Sequence, residues 1–499
     1  MSKKRLLIFI VAYNAEKKID RVLERIPEGL FRRSDLSTEV LIIDDCSSDE
    51  TFTTARNHVF AEDIPVRVLV NPKNLGYGGN QKLGYQYALL HGFDFVALLH
   101  GDGQYAPERL PDLLEPLLTG ESDAVFGSRM INRMSALQGG MPLYKFLGNI
   151  ILSTVQNFLT GARLSEWHSG YRLYSTAILK MIPFERNSNG FDFDTDIIIQ
   201  LLRTNARISE VPIPTYYGDE ICHVNGIPYA CTVLLSCLQS RLQSFGIFYN
   251  PKFDTETATT PHYAPKFHFP SSHSMALSSV KNGEKILILG AGSAGLVAPF
   301  LERGCDIIAI EVEDISDLKA LGVRCLQGDL NTLDLGQALA GMQFDKVLAL
   351  DVIEHLSSPE RFLERLRCVP ACRGAELLCT VPNVAFFVIR IMLLLGFFDY
   401  GKRGILDRTH TRLFTFSSLV RLCEQSGFEV TRTEGIPAPF PLALGGTSLL
   451  ARVLTRLNLL GIKLWRGLFA FQILCRCVPS PHIQELLEAT ERHSQTAHT

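Results

Sequence analysis

The chain has 499 residues, with 49 Lys+Arg against 52 Asp+Glu and a formal net charge of −3. That balance supplies no basic field to hold nucleic acid, so small-molecule substrates fit it better. The length exceeds what one hydrophobic core usually serves, which predicts two domains plus a tail.

The chain opens with Lys3, Lys4 and Arg5 before the apolar residues 6–12, an outline shared with signal peptides. Asn14, Glu16, Lys17 and Lys18 break that run, so it is expected to be a first β-strand. Short Val/Ile/Leu runs then recur at residues 6–11, 40–43, 66–70 and 95–99, and again at 286–289, 307–310, 346–350 and 377–381, with helical patterns between them. Such alternation predicts α/β architecture with parallel sheets, whose ligands sit at the carboxyl ends of the strands. Residues 250–279 are rich in Pro, Ser, Thr and His and lack periodicity, which marks a boundary. The expected division is therefore 1–250, a linker 251–275, a second domain 276–440 and a helical C-terminal extension 441–499.

The 12 cysteines show no paired zinc spacing and are read as reduced core thiols of a cytoplasmic protein. Cys475 and Cys477 form the one close pair, and a packing role is expected for them. No window reaches the ~20 uncharged apolar residues of a membrane-spanning helix. Residues 384–398 come nearest and are broken by Arg390. In 449–471, Leu449, Val453, Leu457 and Leu460 recur at helical spacing with Arg452 and Arg456 between them. Peripheral membrane contact, a cover for the second sheet and a dimer contact all fit that pattern.

Polar residues gather where the first-half strands end. Tyr13, Asn14 and Glu16 follow the first, Asp44 and Asp45 the second, and His100-Gly101-Asp102-Gly103-Gln104 the fourth. Helix capping alone explains either of the first two. It does not explain Asn74-Leu75-Gly76-Tyr77-Gly78-Gly79-Asn80, where glycines are read as leaving room for a diphosphate beside a metal-binding carboxylate. With Gly127-Ser128-Arg129, Ser165-Glu166-Trp167-His168-Ser169-Gly170-Tyr171-Arg172 and Gly190-Phe191-Asp192-Phe193-Asp194-Thr195-Asp196, residues 3 to about 248 resemble a family 2 glycosyltransferase of the GT-A fold, in its dolichyl-phosphate mannose synthase-like branch.

The resemblance implies a nucleotide-sugar donor held by Tyr13, Glu16, Asp44 and Asp45, with Arg129 as a phosphate clamp. It places a divalent metal, Mg²⁺ or Mn²⁺, on Asp102 and Gln104. His100 stands where relatives carry the first acid of Asp-x-Asp and is either a ligand or a neighbour of one. The candidate bases are Asp194 and Glu166, with Asp196 behind them. Relatives that use lipid phosphate carry cations after the last strand, whereas residues 217–225 here are acidic, which favours a glycan or glycolipid hydroxyl as acceptor.

In the second half Gly290-Ala291-Gly292-Ser293-Ala294-Gly295 follows a strand, a turn shared by dinucleotide and methyl-donor enzymes. Glu311 ends the next strand and suits ribose hydroxyls, Asp329 suits adenine, and Asp351-Val352-Ile353-Glu354-His355-Leu356 follows the fourth strand. Together with Val381-Pro382-Asn383 and the run from Gly404 through Asp407 and His410 to Thr415, these make residues 263–437 resemble a class I S-adenosylmethionine-dependent methyltransferase. The resemblance places Gly290, Gly292, Gly295, Glu311, Asp329 and Asp351 around the cofactor. His410 is a candidate base, or else a structural histidine bonded to Asp407. Ile288 replaces an acid usual in that family, which leaves a degenerate, non-catalytic module as an alternative.

The expectation is a bifunctional enzyme that adds a sugar and a methyl group in bacterial surface-glycan synthesis. The first rival is a polyprenyl-phosphate glycosyl synthase with an attached methyltransferase-like module. A nicotinamide dehydrogenase is the distant third.

Overall fold

The computed structural model describes residues 3–59, 64–216, 226–255, 265–313, 315–444 and 448–481. The chain forms two compact units, Met1–Gln243 with Asn250–Thr259, and Ser244–Tyr249 with Thr260–Thr499.

The first unit is a seven-stranded sheet ordered β3-β2-β1-β4-β6-β5-β7. Its strands are β1 (Lys4–Ala12), β2 (Leu36–Asp44), β3 (Val66–Val70), β4 (Phe95–His100), β5 (Ala124–Ser128), β6 (Arg172–Ser175) and β7 (Ile208–Pro212). All neighbours are parallel except β6, which runs against both β4 and β5. Central strands β1 and β4 are buried almost throughout, as their unbroken apolar runs require of a sheet covered on both faces. Core clusters lie on either side, one around Leu6, Ile8, Ile10 and Leu113, the other around Phe9, Tyr85, Trp167 and Phe193.

The second unit repeats the principle with the order β10-β9-β8-β11-β12-β14-β13. Its strands are β8 (Lys285–Leu289), β9 (Asp306–Glu311), β10 (Arg324–Gln327), β11 (Lys346–Leu350), β12 (Glu376–Pro382), β13 (Phe428–Ile436) and β14 (Gln472–Pro479). The last strand inserts between β12 and β13, antiparallel to both. Residues 472–479 are therefore a core strand and not part of a helical extension. Ile473, Leu474, Cys475 and Cys477 are each 0% exposed, so the strand fills the sheet's interior. Cys475 and Cys477 point to one face, where Cys379 and Cys423 join them as small buried apolar groups.

The boundary also departs from the expected linker. Asn250 caps a short turn, Pro251–Phe253, and Phe253 is 0% exposed in the first unit's core. Lys252 Nζ reaches the buried Asp196 at 2.8 Å. Residues 244–249 instead join the second unit: Gly246, at φ +74, passes the Arg403 carbonyl, and the ring of Phe248 meets that of Phe397 edge-on. At the other end of the expected linker, Ser271 caps the helix Ser272–Ser279. Polar and proline-rich composition hid these anchors because each depends on one or a few residues, such as Phe253, Phe248, Lys252 and Ser271, whose partners lie elsewhere or in a short capping turn.

If β14 is a core strand, Ile473→Asp leaves a buried charge without a partner. Differential scanning calorimetry is expected to show the second unit's transition lost or markedly lowered while the first unit's transition persists.

Candidate functional site

In the first unit the strand ends do converge. Asn14 and Cys46, just past β1 and β2, adopt left-handed φ of 50° and 61° and turn the chain sharply out of the sheet. The two loops are joined there: Asn14 N–H donates to Ser47 Oγ at 2.8 Å, and Ser48 N–H to Asn14 Oδ1 at 3.0 Å. Asp44 is buried and accepts the Ser47 N–H and hydroxyl; burial holds its carboxyl above the ordinary range. Tyr13 is half exposed beside it, and the Glu16 N–H donates to Asp49.

Asp45 has a different duty. Its carboxylate accepts Asn71 Nδ2, Leu75 N–H and Gly76 N–H at 2.7 to 2.9 Å, which fixes loop 71–76. The glycines of that loop are likewise explained within the protein. A Cβ at Gly76 would stand 2.6 Å from the Asn189 carbonyl, and one at Gly78 would stand 2.5 Å from the Ser188 carbonyl. They admit backbone 188–190, so the space credited to a diphosphate is filled by the chain itself.

At the end of β4, Asp102 is exposed and its carboxylate accepts the Gln104 N–H at 3.0 Å. His100 turns inward. Its ring stacks edge-on with Tyr77 and Tyr105, its Nε2 lies 3.3 Å from the Tyr77 hydroxyl, and burial lowers its pKa. Tyr77 in turn donates to Asp194 at 3.0 Å, and Arg172 stands 3.7 Å from the same carboxylate. His100, Tyr77 and Asp194 thus form one polar line running inward from the strand end, and the exposed metal candidate Asp102 follows His100 by two residues.

Glu166 is not placed to act as a base. Its side chain is 0% exposed and accepts Arg129 N–H at 2.7 Å, Arg129 Nε at 3.0 Å, Arg129 Nη2, and Asn149 Nδ2 at 2.8 Å. Burial pushes its pKa up, but the Arg129 charge and hydrogen bonds outweigh this and hold it below the ordinary value. A carboxylate so saturated cannot take a hydroxyl proton, and the same pair withdraws Arg129 from the role of phosphate clamp. Arg129 also donates to the His168 carbonyl at 3.2 Å. Asp196 is committed to Lys252. Nothing local in the sequence signals either pair, since the partners lie 37 and 56 residues apart.

In the second unit Gly290 and Gly292 take φ of +68° and +62°. A Cβ at Gly290 would stand 2.7 Å from Val352 Cγ2 and one at Gly295 would stand 2.6 Å from Pro265 Cγ, whereas Gly292 faces open space. Only Gly292 therefore leaves room for a ligand against the backbone. Glu311 accepts Gly292 N–H and Val312 N–H, each at 2.7 Å, so it braces the glycine turn. Ile288 lies buried in the core below that turn.

Asp351, at φ +57°, accepts the Thr380 hydroxyl at 2.7 Å and Gln472 Nε2 at 2.8 Å, tying β11 to β12 and β14. Asp329 is exposed and holds Asn331. His410 does not pair with Asp407, whose carboxylate accepts from Thr409; its Nδ1 lies 2.9 Å from the Ile405 carbonyl. Burial lowers the His410 pKa. Glu354 and His355, which belong to the run 351–356 but were given no individual role from the sequence, lie beside His410.

Two substitutions test this geometry. Glu166→Ala leaves Arg129 buried without a counter-charge and is expected to cost about 3–5 kcal/mol in denaturant unfolding. Since the folded pKa of Glu166 lies below its usual 4.5, the pair's contribution is complete above that value and lost as pH falls through the depressed one. Acid titration of stability in wild type and Glu166→Ala is expected to converge there. Gly78→Ala is expected to lower stability by about 1–3 kcal/mol by displacing the 188–190 backbone, measured in the same unfolding assay.

The profile of glycosyl transferase family 2 matches residues 7–182, and a methyltransferase domain profile matches residues 265–433. The undecaprenyl-phosphate mannosyltransferase of Micrococcus luteus is 30% identical over 212 residues, which is 42% of this chain and 82% of that protein. The UDP-N-acetylglucosamine–dolichyl-phosphate N-acetylglucosaminyltransferase of Methanococcus voltae is 27% identical over 44% of this chain and 88% of its own. Among solved structures, the glucosyl-3-phosphoglycerate synthase of Mycobacterium tuberculosis matches at 18% identity and TM-score 0.35, over 48% of this chain and 80% of that one. The 1,6-didemethyltoxoflavin-N1-methyltransferase of Burkholderia thailandensis matches at 13% identity and TM-score 0.29, over 53% and 94%. The chain belongs to the family 2 glycosyltransferases through its first unit, of GT-A-like fold, and carries in its second a Rossmann-like methyltransferase domain.

Proposed function

We propose that the first unit transfers a sugar from a nucleoside-diphosphate donor to a lipid-linked phosphate, and that the second transfers a methyl group from S-adenosylmethionine. The observation that carries the acceptor is the buried Arg129–Glu166 pair. An alcohol needs a base to lose its proton, whereas a phosphate is ionised at neutral pH and is itself the nucleophile. With Glu166 saturated, Asp194 alone remains, and it is already held by Tyr77 and Arg172.

A second feature supports the same acceptor. On the helix Leu143–Thr160, Tyr144, Leu147, Ile151, Val155 and Phe158 are exposed at spacings of three to four residues, with exposed Leu143 beside the first. A stripe of that length suits a polyisoprenoid tail or the membrane surface that carries it. The relatives from Micrococcus and Methanococcus are named for polyprenyl- and dolichyl-phosphate acceptors. The acidic segment 217–225, which favoured a glycan hydroxyl, lies outside the described residues. No described helix is long and apolar enough to cross a membrane, so contact with the lipid would be peripheral.

Asp102 fits a hard divalent cation, because its carboxylate is exposed and among the described residues its one hydrogen-bond partner is the Gln104 backbone N–H. Asp102 and Gln104 would hold Mg²⁺ or Mn²⁺, which when bound neutralises charge on the departing diphosphate. Asp44 and Tyr13 would line the nucleoside, His100 and Tyr77 would fix the sugar side of the site, and Asp45 would keep loop 71–76 in place. In the second unit, Gly292 would take the methionine end of the donor against its backbone and Asp329 the adenine. The two reactions would serve assembly of one bacterial surface glycan at the cytoplasmic face, with the linkage of the units raising the local concentration of the shared acceptor.

Transfer assays with a panel of nucleotide sugars separate the acceptors. Sugar is expected on polyprenyl phosphate, with Asp102→Ala reducing nucleoside diphosphate release at least about 100-fold, a loss of roughly 3 kcal/mol. Transfer to a saccharide hydroxyl instead, abolished by Asp194→Asn, would overturn the lipid-phosphate reading. Calorimetry is expected to show one equivalent of S-adenosylmethionine bound, and Gly292→Val, strained at φ +62°, is expected to prevent it.

A further inference from the structure

Directly after Asp351 the chain makes a short turn, Ile353–His355, which carries Glu354 and His355. Residues 409–412 are fastened to it. Thr411 and Arg412 N–H donate to the Glu354 carbonyl at 2.8 and 3.2 Å, and the Thr411 hydroxyl donates to the Leu356 carbonyl at 2.6 Å. This holds the rings of His355 and His410 edge to face, 4.9 Å apart. One ligand atom from each of Glu354, His355 and His410 lies within 4.8 Å of the others.

Both imidazoles are oriented alike. His355 Nδ1 lies 3.2 Å from the Thr409 carbonyl and His410 Nδ1 lies 2.9 Å from the Ile405 carbonyl. An Nδ1–H donated to a carbonyl fixes the tautomer whose Nε2 lone pair can bind a metal, and such outer bonds are the usual support of ligating histidines. Glu354 is the independent observation. It is 1% exposed, and among the described residues neither carboxylate oxygen has a hydrogen-bond partner. A buried carboxyl group without a partner costs free energy whether it is ionised or protonated.

We propose that Glu354, His355 and His410 bind a divalent transition-metal ion through one carboxylate oxygen and two Nε2 atoms. Mixed imidazole and carboxylate donors suit Zn²⁺, Co²⁺, Mn²⁺ or Fe²⁺ better than Ca²⁺ or Mg²⁺. Three protein ligands leave a coordination position open, and exposed His355 gives the ion a way in. The site adjoins the glycine turn, since Val352 packs against Gly290. Its use rests on the methyltransferase reading: the open position takes a hydroxyl of the methyl acceptor and lowers its pKa. The hydroxyl proton passes to solvent, an oxygen electron pair forms the bond to the methyl carbon, and the sulfur–carbon pair returns to sulfur. In that arrangement His410 is a ligand and not the base.

The test uses the full chain carrying Asp102→Ala, which removes the metal candidate of the first unit, stripped with a chelator and titrated with Co²⁺. One equivalent is expected to bind with visible ligand-field absorption, and His355→Ala and Glu354→Gln are each expected to weaken binding at least about 100-fold. Far-ultraviolet circular dichroism and thermal unfolding in chelator are expected to be unchanged in His355→Ala, whose side chain is exposed. No cobalt uptake by the Asp102→Ala chain, or equal affinity in all variants, overturns the site. Cobalt bound by a chain that transfers no methyl group supports the site and counts only against the methyltransferase reading.

Discussion

Both units depend on how a buried parallel strand is made to stop. A strand covered on both faces has no solvent to turn towards, so the chain must leave the sheet within one or two residues. Here it does so through left-handed backbone at Asn14, Cys46, Gly290 and Asp351. For a non-glycine residue that conformation costs about 1–2 kcal/mol. The side chains of Asn14 and Asp351 offset the cost by bonding to neighbouring elements: Asn14 to Ser48 in the loop after β2, and Asp351 to Thr380 of β12 and Gln472 of β14. The polar groups at the strand ends thus close the strands, and the same positions are the ones proposed to meet a ligand.

That double duty explains what the sequence made legible. Apolar runs located β1 to β4 in the first unit and β8, β9, β11 and β12 in the second, because burial on two faces leaves no other composition available; they did not reveal the interior strands β5, β6 and β14 or the edge strands β7, β10 and β13. The glycine turn at 290–295 and the clusters at 44–45 and 100–104 fall at strand ends as their positions required. Their roles were harder to read. Asp45 and the glycines at 76 and 78 carry the residue types of a diphosphate site, yet they serve a close approach of two backbones. A glycine permits proximity without saying what is near.

The remaining differences come from partners distant along the chain. Arg129 and Glu166 each look like free functional groups until they are seen to be paired. Likewise Glu354 becomes conspicuous only when segment 409–412 folds over it and leaves its oxygens without donors. The strand Gln472–Pro479 follows a long helical pattern, and nothing within eight residues of Gln-Ile-Leu-Cys-Arg-Cys-Val-Pro states that two other strands flank it.

The exchange of short segments at residues 244–255 bears on how the protein is made and taken apart. The first unit holds Phe253 and Lys252 in its core, while Phe248 and Tyr249, which precede them, belong to the second. No single cut gives each unit all of its residues: one after 243 strips the first of its aromatic plug, and one after 255 strips the second of its Phe248 contact. In chain order, residues 244–249 are made before Lys252 and Phe253 of the first unit's core, whereas Phe397, against which Phe248 packs, is made much later.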